Sequence, residues 1–301
     1  MSSSSDQAVV IWGELLWDRF PDGDRLGGAP ANVAWHLGMA GGWAQLVTRV
    51  GDDPDGHRAI ERFEQVCDTS LIQVDRERAT GEVKVVIEAG EPRYTLVPDR
   101  AWQRIECTPE ARRAIGEAGV LVFGSLAQRT AEGLAGWRDA IAAAGRGCLK
   151  VCDVNLRKTD GVASGDPAER DAVRAALDAA DVIKVNDREL EVLTNWYGCP
   201  ALPRLRDRAR VVAVTHGAEG STLYGERELH VSAVRARPGG DNVGCGDAYL
   251  ALLVHGMTLG WDLEASARVA SRWAAEVAGV RGATPMFPDE LVDALLGEAA
   301  A

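Results

Sequence analysis

The sequence predicts an α/β fold, with a mostly parallel central sheet, helices on both of its faces, and a small β-sheet lid beside it. Two observations carry this expectation. After Thr108, short apolar runs rich in β-branched residues alternate with alanine-rich helical stretches, the pattern of a parallel sheet whose crossovers are helices. Between Ser70 and Val97 the texture changes to short strand-like runs with few helix signals. At 301 residues the chain can bury a large core, and its 46% hydrophobic and 26% charged content is a globular mixture rather than a disordered one.

Ala8 to Ile11 reads as a short apolar strand leading into Gly13. Ala29 to Gly38 reads as a helix with Pro30 near its first turn, where a missing N–H costs nothing. Ala44 to Val50 is a second strand, and Pro54 opens a helix that runs to about Gln65. Leu71, Ile72 and Val74, then Val83, Val85 and Ile87, then Tyr94 and Leu96 mark short strands of the insert. Val120 to Phe123, Leu149 to Asp153, Val182 to Val185 and Val211 to Val214 are strands of the main sheet. The helices Ala131 to Ala144 and Ala168 to Ala179 lie between the first three. Thr222 to Val234 reads as a hairpin, and Asp247 to Leu259, Leu263 to Ala278 and Asp289 to Leu296 read as helices. A second extended piece, Leu15 to Leu26, carries the turn Pro21-Asp22-Gly23-Asp24. With no internal repeat or long linker, residues 1–301 are expected to form a single domain. Its lid would come from about 15–27 and 69–101, and would shield a bound substrate from water.

Composition excludes several classes. A net charge of −12 argues against a general nucleic-acid or acidic-membrane binder, because phosphate affinity needs a basic face. The six cysteines form no Cys-x-x-Cys pair, which suits a reducing cytoplasm and gives no zinc site. Met1 to Gln7 is polar and serine-rich, unlike a signal peptide, and no apolar run approaches the roughly 18 residues of a membrane helix.

The stretch Gly239-Gly240-Asp241-Asn242-Val243-Gly244-Cys245-Gly246-Asp247-Ala248 is the richest in chemistry. Small residues run directly into a helix, so consecutive backbone N–H groups can converge at the helix's positive end and form an anion hole. An aspartate there, Asp247, can reach a substrate hydroxyl as general base while those amides hold a transferring phosphate. Read alone, the stretch is equally consistent with a glycine-rich turn in which Asp247 caps a helix. No Walker lysine pattern is present, and Gly244-Cys245-Gly246 lacks the third glycine of a dinucleotide loop. In Leu26-Gly27-Gly28-Ala29-Pro30-Ala31-Asn32, the paired glycines permit close approach of a ligand at a helix start, and Asn32 offers both a donor and an acceptor to sugar hydroxyls, although read alone the stretch is more simply a helix-entry turn with Asn32 solvated.

Read together, and in this order, the two stretches resemble the ribokinase/PfkB family of carbohydrate kinases, and the resemblance extends from Gly13 to Pro285. It implies a ribokinase-like three-layer α/β/α sandwich with ATP and Mg²⁺ as cofactors. It also implies catalysis by Asp247 with the amides around Gly244, Cys245 and Gly246. Asp18, in Trp17-Asp18-Arg19-Phe20-Pro21, is similar to the family's lid-hinge aspartate, so the sugar site is expected at Asp18, Gly27, Gly28 and Asn32. Asn186-Asp187-Arg188-Glu189 resembles the Asn-x-x-Glu run, which places Asn186 beside the nucleotide and Glu189 near Mg²⁺ through water. Thr215, Gly217 and Gly220, in Thr215-His216-Gly217-Ala218-Glu219-Gly220, resemble the nucleotide turn. Arg157, after Asp153-Val154-Asn155-Leu156, is a candidate phosphate contact. Asp241 and the loop Gly279 to Ala283 occupy positions that in some members hold a monovalent cation such as K⁺.

Two departures stand out. Asn242 replaces the usual threonine, which bears on cation binding. Cys245 replaces the usual alanine, and a thiol at a helix start is expected to have a lowered pKa and to be oxidisable. The run Gly13-Glu14-Leu15-Leu16-Trp17-Asp18 and the later Ala101-Trp102 are most similar to the fructokinase branch, which implies fructose converted to fructose 6-phosphate by a cytoplasmic enzyme, a homodimer through its lid. Kinases of 2-keto-3-deoxygluconate, ribose or a nucleoside share the same machinery, and a catalytically silent regulatory protein could share the fold.

Overall fold

The computed structural model describes residues 7–88, 91–156 and 165–297. The chain opens with β1 (Val9–Trp12), the hairpin β2 (Leu16–Phe20) and β3 (Gly23–Gly27), then α1 (Ala29–Met39) and β4 (Ala44–Gly51). There follow α2 (Pro54–Phe63), β5 (Ile72–Asp75), β6 (Gly81–Glu88) and β7 (Glu91–Leu96). The alternating part holds α3 (Pro109–Glu117), β8 (Val120–Phe123), α4 (Ala131–Ala143), β9 (Leu149–Asp153) and α5 (Pro167–Ala179). It continues with β10 (Val182–Asn186), α6 (Asp187–Tyr197), α7 (Ala201–Arg206) and β11 (Val211–Thr215). The chain closes with β12 (Ser221–Tyr224), β13 (Glu228–Val231), α8 (Cys245–Thr258), α9 (Leu263–Ala278) and α10 (Asp289–Gly297).

Nine strands form the main sheet in the order β13-β12-β11-β10-β9-β8-β1-β4-β5. From β11 to β5 every pairing is parallel, while β12 and β13 are antiparallel. Both faces of the parallel part are covered, so its strands are apolar throughout but alternate between two cores. Val9 and Ile11 of β1, like Val120 and Val122 of β8, pack with α1, α8 and α9. Val10 and Trp12, like Leu121 and Phe123, pack with α3, α4 and α5. This is the three-layer sandwich expected from the resemblance.

The lid is a four-stranded sheet in the order β3-β2-β6-β7, with Leu16, Val83 and Val85 forming its own small core. Its composition differs from the expected 15–27 and 69–101 at two points. Ile72–Asp75 pairs with β4 at the edge of the main sheet, where buried Asp75 accepts the N–H groups of Glu77 and Arg78 and pairs with Arg49 at 2.9 Å. Ala101 and Trp102, at the other end, are buried in the main core. A buried ion pair and a buried indole tie both flanks of the insert to the sandwich, leaving only the central strands to the lid.

Helices α3, α6 and α7 were not anticipated as whole elements. For α3 the signal is the Thr108 cap, whose side chain accepts the Ala111 N–H ahead of Pro109. For α6 it is the reciprocal capping box between Asn186 and Glu189.

Candidate active site

Helix α1 begins at a backbone position only glycine can occupy. Gly28 has φ +103°, and a Cβ there would lie 2.3 Å from the Glu14 carbonyl oxygen. The close approach sets Asn32, in the first turn, deep in the cleft at 3% exposure. Asn32 Nδ2 donates a 2.7 Å hydrogen bond to Asp247 Oδ2. Asn32 Oδ1 has no hydrogen-bond partner among the described residues, and the side chain lines a cavity.

The second half of the site is the loop before α8. Asn242 and Gly244 both adopt left-handed backbone, φ +58° and +79°, and turn the chain into the helix at Cys245. The N–H groups of the first turn have no intrahelical acceptors and lie at the positive end of the helix dipole. Asp247 is the third residue of the helix and is buried. A Cβ at Gly244 would lie 2.5 Å from the Ala283 Cβ, so the loop is seated directly on the 279–283 segment. That segment is held by α1: Trp35 Nε1 donates to the Pro285 carbonyl at 2.8 Å, and His36 Nε2 donates to the Ala283 carbonyl at 2.9 Å. Trp273 Nε1 donates to His36 Nδ1 at 3.1 Å, which fixes that tautomer. Full burial lowers the His36 pKa to about 4, so the ring is neutral.

Two cavities meet at this loop. One of about 360 Å³ lies under the lid, where Glu14, Asp18, Gly28 and Asn32 supply polar groups and lid residues Val83 and Leu96 supply apolar walls. The other, of about 650 Å³, takes Asn186, Thr215, Gly217, Gly220, Cys245 and Gly246 among its walls. Asn242 borders both, and Gly244 borders the smaller. Gly27 borders neither; it pairs with Leu16 across the hairpin, and a Cβ on it would lie 2.4 Å from Asp18 Oδ2, so it makes room for that carboxylate.

Beneath the larger cavity sits a buried charged group. Lys184 Nζ donates to both Asp153 oxygens, at 3.0 and 3.2 Å, and all of Asp153, Lys184, Glu189 and Asp247 are 5% exposed or less. Glu189 accepts the N–H groups of Asn186 and Leu156, each at 2.9 Å. Burial raises its pKa, against the pull of Lys184. Asp241 accepts the N–H groups of Val243 and Gly282 and lies 3.7 Å from the Arg25 guanidinium of the lid. Arg157 lies outside the described residues.

The expectation of an acidic thiol at Cys245 is overturned. Burial, with Asp247 and Asp241 nearby, pushes the Cys245 pKa up to about 12, outweighing the helix terminus. Trp12 and Trp102 are buried packing residues, and Trp17, also buried, donates to the Asp55 carbonyl. Sequence reasoning passed over Glu14, Asn242 as a wall of both cavities, and Lys184. For Lys184 the signal was a lone cation inside the apolar run Val182-Ile183-Lys184-Val185.

Comparison with known proteins gives the family. Residues 23–290 match the pfkB family of carbohydrate kinases. The chain is 32% identical over 266 residues to a fructokinase of Klebsiella pneumoniae, covering 83% of this chain and 84% of that one. The structure of the sugar kinase PH1459 of Pyrococcus horikoshii in complex with ATP matches with a TM-score of 0.83 at 27% identity, covering 97% of this chain and 99% of that one. A fructokinase of Vibrio cholerae O395 in its fructose-, ADP- and calcium-bound form matches with a TM-score of 0.80 at 26% identity, covering 98% of this chain and 100% of that one. Among the described residues no helix is long and apolar enough to cross a membrane. A match over this much of the length, on a ribokinase-like sandwich, means that the chain belongs to the pfkB family of carbohydrate kinases and is a fructokinase-like phosphotransferase with an alcohol group as acceptor.

Proposed function

We propose that this enzyme transfers the γ-phosphoryl group of ATP to the primary hydroxyl of fructose, giving fructose 6-phosphate and ADP. The observation that carries the reading is the 2.7 Å contact between Asn32 and Asp247, which puts the N-terminal glycine-led helix and the C-terminal anion loop in one cleft. The smaller cavity takes the sugar. Its polar groups Glu14, Asp18 and Asn32 suit a polyol, and no aromatic ring lines it among the described residues, unlike a pocket built to stack a nucleobase. The larger cavity takes the nucleotide, with Asn186, Thr215, Gly217 and Gly220 along it.

Asp247 removes the proton of the attacking hydroxyl as its oxygen bonds to the γ-phosphorus. The bond from that phosphorus to the β,γ-bridging oxygen breaks, and its electron pair leaves with ADP. The N–H groups of Cys245, Gly246 and Asp247 meet the charge on the transferring oxygens. Asp18, Gly28 and Asn32 orient the sugar, and the lid keeps water from competing.

Among the described residues no cluster of three or more acidic, histidine or cysteine side chains is arranged to hold a metal. The Glu189 carboxylate is occupied by two backbone N–H groups. This fits a hydrated Mg²⁺ carried on the ATP phosphates, with Glu189 acting through water; bound there, the ion would neutralise phosphate charge. The Asp241 carboxylate already serves two N–H groups and faces Arg25, and the Ala283 carbonyl already serves His36. These residues do not fit a monovalent-cation site as they stand, and no step runs through one. Exposed Val86 on the lid supports a homodimer through that sheet, and six free cysteines suit the cytoplasm.

The test is a panel of ATP-coupled assays on fructose, ribose, 2-keto-3-deoxygluconate and nucleosides, with wild type and Asp247→Asn. The expected result is fructose as the best substrate and a loss of about 10²–10⁴-fold in kcat for the variant, the range of a general base. Turnover of a different sugar would overturn the substrate, and undiminished turnover in the variant would overturn the base.

A further inference from the structure

We infer that Lys184 contacts the γ-phosphoryl group and is a second charged catalytic residue of the transfer. The side chain stands on β10 at a position of set parity. Ile183 and Val185 face the core with α3, α4 and α5, whereas Val182 faces the α1, α8 and α9 side. Lys184 shares the direction of Val182 and so points at the start of α8, where a Cβ on Gly246 would lie 2.9 Å from its Nζ. Gly246 is therefore small because an ammonium sits against it. Lys184 and Gly246 are both walls of the larger cavity, and Asn186, two residues on from Lys184, is another.

The environment is not one a structural lysine needs. Lys184 is 4% exposed and pairs with Asp153 across the β9–β10 register, at the carboxyl ends of parallel strands, the edge where such sheets bind ligands. A buried ion pair is weak support for stability, since apolar residues of the same volume do as well or better. The ammonium also interacts with Glu189 and Asp247, so one cation stands among three carboxylates. That group is anionic, and a transferring phosphoryl placed on the α8 loop needs a cation within reach. Arg235, also on the larger cavity, is exposed, which leaves Lys184 as the buried cation of its wall. A lysine ammonium suits this task as a compact point charge.

The inference rests on the reading that the larger cavity takes the nucleotide, and calorimetric binding of ADP and AMP-PNP, the non-hydrolysable ATP analogue, separates the two. If wild type binds neither, the nucleotide reading itself falls. If it binds both, Lys184→Met/Asp153→Asn, which removes both buried charges at near-constant volume, should leave ADP affinity within about threefold and weaken AMP-PNP by about 10–100-fold, the range for a hydrogen bond to a charged group. kcat should fall with little change in the sugar KM. Asp153→Asn alone keeps the ammonium and should keep the preference for AMP-PNP. The chain has four lysines (Lys84, Lys150, Lys158 and Lys184), so ¹⁵N-lysine labelling of the unsubstituted protein gives a readout independent of any variant's folding. The slowly exchanging Lys184 ammonium should shift with AMP-PNP and not with ADP. Equal loss of the two nucleotides, full activity in the double variant, or an ammonium signal indifferent to the γ-phosphate would overturn the assignment. Because the nucleotide-binding and ammonium readouts need neither fructose nor Asp247, a wrong sugar or a wrong base leaves them intact.

Discussion

The His36 imidazole and the Ala283 carbonyl are joined by a 2.9 Å hydrogen bond, and through it helix α1 braces the segment on which Gly244 sits. One turn earlier on the same helix, Asn32 reaches Asp247. A single helix therefore sets both the carboxylate and the backbone donors beside it.

That brace has a pH signature. The folded pKa of His36 is about 4 against 6.5 for the free side chain, so the unfolded chain binds the extra proton between those values. Its contribution to stability is fully present above about pH 6.5 and is lost as pH falls towards 4, by on the order of 3 kcal/mol. His255, lowered by burial, adds to the same trend. Glu169 and Glu189, raised by burial, add the opposite slope, so the difference between wild type and variant isolates His36. Tm measured from pH 4.5 to 7.5 should fall less steeply with acid in His36→Gln, and an identical slope would refute the account.

Removing the Asn32 side-chain amide takes one hydrogen bond from the Asp247 carboxylate and deletes a proposed sugar contact. Asn32→Ala should lower kcat/KM for the sugar by about 10–100-fold, consistent with a lost hydrogen bond to a charged group, while the KM for ATP changes little. An equal effect on both substrates would point instead to a general disturbance of the cleft.

Gly244 has two reasons to be glycine, its φ of +79° and the Ala283 methyl 2.5 Å from where a Cβ would go. Gly244→Ala should destabilise the protein by about 1–3 kcal/mol and depress kcat further than that loss of fold explains. Thermal unfolding and activity below Tm check the two parts separately, and an active, undisturbed variant would show that the loop can shift at no cost.

Cys245 should be inert in the native enzyme. With its pKa near 12, alkylation by iodoacetamide at pH 8 is expected to be far slower than for a free thiol, and Cys245→Ala should leave peroxide sensitivity unchanged. Rapid labelling of Cys245, read by peptide mass, would restore the acidic-thiol expectation.

Much of the architecture was written locally. The short, β-branched apolar runs of the parallel strands, the capped helix starts and the glycine-rich approach to Asp247 are short-range patterns, and each marks its element without reference to the rest. Where longer contacts decide, local reading failed. Ile72–Asp75 has the same strand texture as the lid, but its pairing with β4, beside the ion pair of buried Asp75 with Arg49, assigns it to the main sheet. At Cys245 the helix terminus favours an acidic thiol, and burial, with Asp247 and Asp241 nearby, reverses the sign.

The sequence by itself determined the layered α/β class, the family resemblance and the two loops that bear the chemistry, because backbone propensity and glycine placement act over a few residues. Tertiary structure alone decided that Asn32 touches Asp247, that Glu14 faces the smaller cavity, and that the lysine of β10 meets the start of α8. Those facts depend on strand order and on which face of the sheet a residue takes, and the order in which strands assemble is set by packing across the whole chain rather than by neighbours in sequence.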